Sequence, residues 1–403
     1  MRALNLLTLL SLLCTSLLLA EQNSEKLEEY ISQNKKEQFS YDYEKNEADS
    51  SKLRDSWIAP LNLQYSYSKS NPYGSEQSSQ NAAIKMDQPI FQSGGIYYGI
   101  KFAEASRIYF NYSIDVAKRK LVKDAISLLM QIKQMDLKVD KQNLLIKNSE
   151  INLELKKEQY LSGQLDSGFL DNAIIERNSV IQALYDIQTN EKRLISKFQA
   201  ISDISYKNAS IPHLEILNEE EFTKHNIVLN MSKSNIEKNR YNKDVTISKY
   251  LPRVSFTAGY NWNKNEDNAF QFGADEKDYY DYGLKAYIPI DINTFRDVES
   301  SRIDFLKSKV VIEDRKRELH ALFEQVMQNI ENFEKKKLLS IENREIYEKL
   351  FIDTKELFSA GYKTEYDVNL LKNSVEIQKI DLKIFEIDKQ LELLTLYEMY
   401  KSE

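Results

Sequence analysis

Two kinds of hydrophobic periodicity divide the chain. Near residues 60–91 and 252–290, apolar positions alternate with polar ones. Leu61, Leu63, Tyr65 and Tyr67 are separated by Asn62, Gln64, Ser66 and Ser68, and Val254, Phe256, Ala258, Tyr260 and Trp262 by Ser255, Thr257, Gly259, Asn261 and Asn263. A period of two puts all the apolar side chains on one face of a strand. A polar, Gly-containing loop and a second alternating run follow each segment: Ala82, Ile84 and Met86 in the first, Tyr282, Leu284, Ala286 and Ile288 in the second. The pattern predicts two β-hairpins with strands of about ten residues, the length that crosses a bilayer when tilted. Tyr65, Tyr67, Tyr279 and Tyr280 at the strand ends suit an interfacial aromatic girdle. A soluble sandwich with one wet face would alternate in the same way.

Elsewhere the apolar residues step by three and four. Leu121, Ala125, Leu128, Ile132, Met135 and Val139 do so, as do Leu319, Phe323, Val326, Ile330 and Phe333. Ile377, Ile380, Ile384, Ile387, Leu391 and Leu394 repeat the pattern near the C-terminus. That spacing is a coiled-coil seam, and the intervening Lys, Glu, Asp and Gln read as solvated faces. The breakers agree. The six prolines are Pro60, Pro72, Pro89, Pro212, Pro252 and Pro289, which leaves two proline-free stretches of more than a hundred residues. Average usage over 403 residues predicts about 28 glycines and about 20 prolines, against the 10 and 6 present. Turns are scarce, so the elements are long.

The chain also repeats itself, with a period near two hundred residues. Gln88-Pro89-Ile90-Phe91 recurs as Ile288-Pro289-Ile290-Asp291, and Ala59-Pro60-Leu61-Asn62-Leu63 as Leu251-Pro252-Arg253-Val254-Ser255. Tyr160-Leu161-Ser162-Gly163 recurs as Phe358-Ser359-Ala360-Gly361. The expected organisation is repeat 1 over 21–200, an inter-repeat segment over 201–225 and repeat 2 over 226–403. Each repeat has a leading helix, a hairpin (about 60–91 and 252–290), a long helix, a glycine turn near 163 or 361, and a returning helix. An outgoing helix from about 96 to 160 is roughly 95 Å long, far beyond the diameter of a globular domain. It can pack only against its own duplicate or against other copies. Four strands are too few to seal a membrane barrel, since the smallest have about eight, and open edges are not tolerated in lipid. Membrane insertion of these strands therefore requires association of subunits.

Residues 1–20 read as a secretory signal peptide: Met1-Arg2, an apolar run from Leu4 to Leu19, and Ala20 before polar Glu21. Cys14 is the only cysteine, so the mature chain holds no disulfide, thiolate metal site or cysteine nucleophile. A lipoprotein reading would place the anchor on Cys14, but Ser11-Leu12-Leu13 before it lacks the usual small residues. The net charge is −7 with 29% charged residues and the mean hydropathy is −0.55. The acidic, evenly spread balance argues against a nucleic-acid partner. Only His213, His225 and His320 are present, none at metal-ligand spacing with another, and Gly94-Gly95 lacks the Lys-Ser/Thr of a phosphate loop. No serine nucleophile elbow occurs. No cofactor and no enzymatic chemistry are expected.

On the strand exit Gln88-Pro89-Ile90-Phe91, the strand start Leu251-Pro252 and the run Leu357 to Val368, in that order and duplicated, the chain resembles the TolC-type outer-membrane efflux proteins over residues 25 to 398. The resemblance implies a mixed, mostly α fold. Long antiparallel coiled-coil helices form an α-barrel, and four β-strands per chain contribute to an oligomeric transmembrane β-barrel. It implies a homotrimer in the cell outer membrane, with a large periplasmic part and an equatorial region made from the chain ends and residues 200–225. Docking would be to a periplasmic adaptor and an inner-membrane pump of RND or ABC type. Loops 69–80 and 264–278 would face outside the cell.

In that family the two hairpin tips, here near Gly163 and Gly361, form a gate. It is closed by acidic residues and by links from basic or tyrosyl side chains to carboxylates. By position, Asp367 matches the acidic residue six places after the tip glycine, Lys363 a family arginine and Phe358 a tyrosine. The chain departs from the pattern at Phe169, where the first repeat usually has an aspartate, and at Leu370, where a second acidic residue is usual. Asp166 or Asp171 can supply the missing charge. A phenylalanine donates no hydrogen bond, so closure is expected to be held differently here. A periplasmic coiled-coil adaptor or scaffold that never enters a membrane is the competing reading, since it shares the signal, the heptads and the lack of chemistry.

Overall fold

The computed structural model describes residues 27–71, 76–266 and 275–401. The signal-peptide reading of residues 1–20, with Cys14, lies outside them. In chain order the elements are α1 (Gln33–Arg54), β1 (Asn62–Ser70), β2 (Gln77–Phe91), α2 (Gly95–Leu161), α3 (Ser167–Gln199), α4 (Glu219–Lys224), α5 (Ile227–Lys249), β3 (Arg253–Glu266), β4 (Asp275–Tyr287), α6 (Thr294–Ser359) and α7 (Glu365–Tyr397). The chain is thus mostly helical with one four-stranded antiparallel sheet. Helix α2 has 67 residues, about 100 Å at the usual rise, and α6 has 66. Among the described residues, no helix is long and apolar enough to cross a membrane.

The strands differ from the expected ten residues: β2, β3 and β4 run to 15, 14 and 13. The ladder continues through the Ser, Asn and Gln positions on which the apolar alternation gives out, because backbone pairing does not need apolar side chains. The connections are correspondingly shorter than 69–80 and 264–278. Pairing reaches Ser70↔Gln77 in the first hairpin and Asn265↔Asp275 in the second, and residues 72–75 and 267–274 lie outside the described set.

Contacts divide the chain into two compact units, and neither is one of the sequence repeats. The first comprises Tyr41–Ile114 and Leu229–Arg315 and holds the sheet, ordered β1-β2-β3-β4. The two hairpins are joined through β2 and β3, with a register shift between Pro89 and Phe91. Proline has no N–H to give a ladder, so an irregularity at that position costs no hydrogen bond. Here α1 is tied to α2 by Ser50 Oγ donating to the Ala103 carbonyl at 3.0 Å, and by Asn46 Nδ2 donating to the Arg107 carbonyl at 3.0 Å.

The second unit comprises the described parts of Met1–Ser40, together with Asp115–Val228 and Lys316–Glu403. Its core includes Leu129, Ile132, Met135, Leu194 and Phe198, with Tyr30 and Tyr206 packed against them. The single seam expected on α2 is too narrow. Val122, Ile126, Leu129 and Met130 are buried beside Ala125, Ile132 and Met135, because α2 is covered by several neighbours at that level. The chain ends pack with the inter-repeat segment. Ser32 N–H donates to the Ile201 carbonyl at 2.9 Å, Tyr30 OH to the Ser210 carbonyl at 2.9 Å, and Lys401 N–H to the His225 carbonyl at 3.0 Å. Phe222 of α4 is fully buried and stacks on Phe323 of α6, with ring centroids 5.8 Å apart.

Candidate functional site

Two regions of the chain have arrangements that packing alone does not explain: the two faces of the sheet, and the glycine turns that end the long helices.

In an antiparallel sheet directly opposed residues share a face, so the register assigns every position. One row across the sheet is Leu63–Ile84–Tyr260–Tyr280, the next Tyr65–Ala82–Trp262–Asp278, and below them lie Met86–Ala258–Tyr282, Phe256–Leu284 and Val254–Ala286. The opposite face carries Asn62–Lys85–Gly259–Asp281, Gln64–Ala83–Asn261–Tyr279 and Ser66–Asn81–Asn263–Lys277. The apolar face is not covered: Leu63 is 80% exposed, Tyr280 75%, Tyr282 73% and Leu284 71%. From Val254 to Trp262 the apolar row spans about 26 Å of strand, or about 20 Å when tilted near 40°.

At its far end the apolar face changes character. The Tyr260 hydroxyl donates to Asp278 at 2.8 Å and Trp262 Nε1 to Glu276 at 2.8 Å. Rings with one apolar side and one anchored polar atom suit a boundary between oil and water. On the polar face, Asn261 Nδ2 donates to Asp281 Oδ1 at 2.8 Å. Gly259 leaves room for this pair, since a Cβ would stand 2.7 Å from that oxygen and the Asp281 side chain would have to shift. The outer edges of the sheet are β1 and β4, each with a free row of backbone groups.

The glycine turns share one construction. Gly163 has φ +73° and Gly361 φ +82°, the left-handed conformation that glycine adopts without a Cβ penalty. In the first turn Gly163 N–H reaches the Tyr160 carbonyl and Gln164 N–H the Gln159 carbonyl; in the second Gly361 N–H reaches Phe358 and Tyr362 N–H reaches Leu357. These paired bonds are a Schellman cap, which satisfies the last carbonyls of α2 and α6. Three residues on, the next helix is capped: by Asp166, whose carboxylate accepts from Gly168 N–H at 2.8 Å, and by Thr364.

The sequence-expected tip residues fall on these turns as follows. Asp367 completes a capping box: its Oδ2 accepts from Thr364 N–H at 3.0 Å, while its own N–H donates to Thr364 Oγ1 at 3.3 Å. That backbone hydrogen bond holds its carboxyl below the usual range, and the charge of nearby Lys363 adds to the effect. No ion pair joins Lys363 to Asp367 among the described residues. Phe169 occupies the same place in the first turn, six after the glycine, and is 51% exposed without such a bond. Asp171 and Phe358 are exposed, and Leu370 is half-buried.

Sequence reasoning missed the residues that connect the two tips. The Tyr366 hydroxyl lies 3.5 Å from Glu158 Oε1, and the negative charge of Glu158 pushes the tyrosine pKa up. Tyr366 stands five residues after Gly361 and Glu158 five before Gly163, a mirrored spacing that could have flagged the pair. Further along the same helices, Asn373 Nδ2 donates to Asn148 Oδ1 at 2.8 Å, Lys141 pairs with Asp381 at 2.7 Å and Gln134 Nε2 donates to Asp388 at 2.5 Å. Polar contacts thus join α2 to α7 over much of the length of α7. Among the described residues, no group of three or more His, Cys, Asp or Glu could hold a metal ion.

No family model and no curated protein match the sequence. The fold does match solved structures. VceC, an outer membrane protein of Vibrio cholerae, superposes with a TM-score of 0.72 at 14% identity, over 95% of this chain and 97% of that one. The CmeC outer membrane channel of Campylobacter jejuni gives 0.70 at 12%, over 94% and 86%. The MtrE outer membrane channel of Neisseria gonorrhoeae, in its open state, gives 0.65 at 11%, over 94% and 88%. The chain shares its fold with these outer membrane channels, as the resemblance read from the sequence implies.

Proposed function

We propose that a chain with this outer-membrane channel fold is one subunit of a passive, gated export duct. Three copies would each give four strands to a closed barrel in the outer membrane, reached through the signal peptide, and the long helices would continue the duct into the periplasm. The single observation behind this reading is the sheet with one polar face, one bare apolar face and two unpaired edges. In water, a bare row of Leu63, Tyr280, Tyr282 and Leu284 is an aggregation liability. In lipid it is the required surface, but β1 and β4 then need partners, because unpaired backbone groups are costly there. Sister chains supply them. The polar face, with Lys85, Asp87, Asn261 and Asp281, would line the lumen.

The turns at Gly163 and Gly361 would be the periplasmic mouth, where an adaptor and an inner-membrane pump of RND or ABC type dock. Asp367 would stand there as an anion at neutral pH, and a ring of such carboxylates favours cations. The Glu158–Tyr366 contact takes the place that Phe358 cannot fill in holding the tips together. MtrE, which has the same fold, has been solved open, so the fold accommodates a widened state.

The test is the mature protein purified with and without detergent. A detergent-requiring, heat-modifiable oligomer that conducts ions across a planar bilayer supports the duct. A water-soluble monomer released by osmotic shock refutes it and leaves the periplasmic scaffold. For the gate, Asp367→Asn retains an acceptor for Thr364 N–H but removes the charge. Cation preference should fall, and an unchanged preference takes Asp367 out of the ion path.

A further inference from the structure

Where the strands give way to helices, α1, α2 and α5 converge on a cavity of about 420 Å³. Ile96 and Ile100 of α2 give it an apolar lining, with Trp57 also in its wall. Three cations border it: Arg54 at the end of α1, Lys249 at the end of α5 and Arg253 at the start of β3. Arg54 is held by Asp55 through two bonds of 2.8 and 2.9 Å. Lys249 forms no ion pair among the described residues. The Arg253 guanidinium lies over the Tyr287 ring, 4.5 Å from its centroid, a contact that uses its face and leaves its N–H edge for an acceptor. The first turn of α2 contains no acidic residue, so nothing there offsets the positive end of that helix. Two cations with no carboxylate partner among the described residues therefore border a cavity of mixed lining, where Gln92, Asn242 and Ser248 stand beside the isoleucines. It lies next to Val254 and Phe91, where the bare face of the sheet ends.

We propose that this cavity binds the phosphate group of an anionic membrane phospholipid whose chains lie in the adjoining bilayer. The inference rests on the sheet being inserted in lipid. A phosphate suits the site because its several acceptor oxygens can engage a guanidinium fork and an ammonium together. An apolar wall of Ile96, Ile100 and the Trp57 indole beside a polar, cationic one favours an amphiphile over a free anion. The headgroup would hold the inner rim of the sheet at the lipid–water boundary, just as the bonded Tyr260 and Trp262 hold the outer rim.

The experiment uses the full mature protein in a neutral detergent and the double variant Lys249→Gln/Arg253→Gln. Native mass spectrometry would count retained phosphatidylglycerol, and exchange against added phosphatidylglycerol would give its affinity. Both side chains are exposed, so the variant should fold, and heat-modifiable mobility checks that it does. The expected result is affinity at least about tenfold weaker in the variant, with Lys249→Arg keeping most of the binding. Unchanged affinity in the folded variant overturns the site.

Inorganic phosphate displacing the lipid completely at equal concentration overturns the lipid as occupant. A Lys249→Cys protein that reacts equally slowly with a water-soluble maleimide, with lipid present or stripped, would put a second copy over the cavity and also refute the proposal. The two failures are distinguishable. A protein that conducts but whose lipid affinity ignores Lys249 and Arg253 loses only this site. A protein that never inserts loses the duct and the lipid with it, even where Lys249 and Arg253 still hold inorganic phosphate.

Discussion

Replacing Tyr282 by lysine separates a lipid-facing sheet from a water-facing one by the sign of the effect. Tyr282 stands on β4 opposite Ala258, the midpoint of the apolar row from Val254 to Trp262, and is 73% exposed. If that face meets hydrocarbon, a lysine near mid-depth costs about 2–4 kcal/mol per copy, or about 30- to 700-fold in the folded and inserted population. If the face meets water, an exposed Tyr→Lys change falls within about 0.5 kcal/mol and makes the protein more soluble. The control is Gln64→Lys, on the opposite face beside Ala83 and Asn261, where a lysine stays in an aqueous lumen and costs little. The assay is reversible urea titration of protein folded into liposomes, followed by tryptophan emission and heat-modified mobility. The reasoning fails if Tyr282→Lys and Gln64→Lys shift the midpoint equally, or if Tyr282→Lys folds better than wild type without detergent or lipid.

Gly361→Ala forces a Cβ onto a residue at φ +82° with open space around it, so the cost is backbone strain alone, about 1–2 kcal/mol. Hydrogen exchange in the turn around residue 361 should quicken while the sheet is unaffected. Asp367→Ala removes a capping box and should cost about 0.5–2 kcal/mol locally, with Asp367→Asn milder. The carboxyl of Asp367 titrates below its unfolded value. Its contribution is therefore full above the unfolded pKa and lost as pH falls through the folded one, so exchange at the start of α7 should accelerate in acid in the native protein and not in Asp367→Ala. Phe222→Ala empties a fully buried site against Phe323 and should cost about 3–5 kcal/mol. Helix α4 has only six residues, so the loss should appear as protease cleavage within 201–225 before any global unfolding.

The elements themselves were written locally. Alternation over Leu61 to Tyr67 and Val254 to Trp262 marks strands because side chains on a strand point to opposite faces at successive residues. Long proline-free heptads mark helices for the same kind of reason. Gly163 and Gly361 mark the turns because only glycine enters the left-handed region freely. Such features depend on a residue and its near neighbours, so one chain displays them without a partner.

Tertiary structure decided which distant residues meet. Tyr366 with Glu158, Lys141 with Asp381 and Phe222 with Phe323 depend on how two long helices, or a helix and a loop, align in register. Sliding a helix by one turn preserves its heptads and changes every such pair. The same holds for Asp367. Its place six after the glycine was legible, but its use in closing a capping box with Thr364 depends on the turn geometry that brings the Thr364 N–H within reach. The two compact units also cut across the repeats, because burying the apolar stripes of helices this long takes neighbours from both halves of the chain.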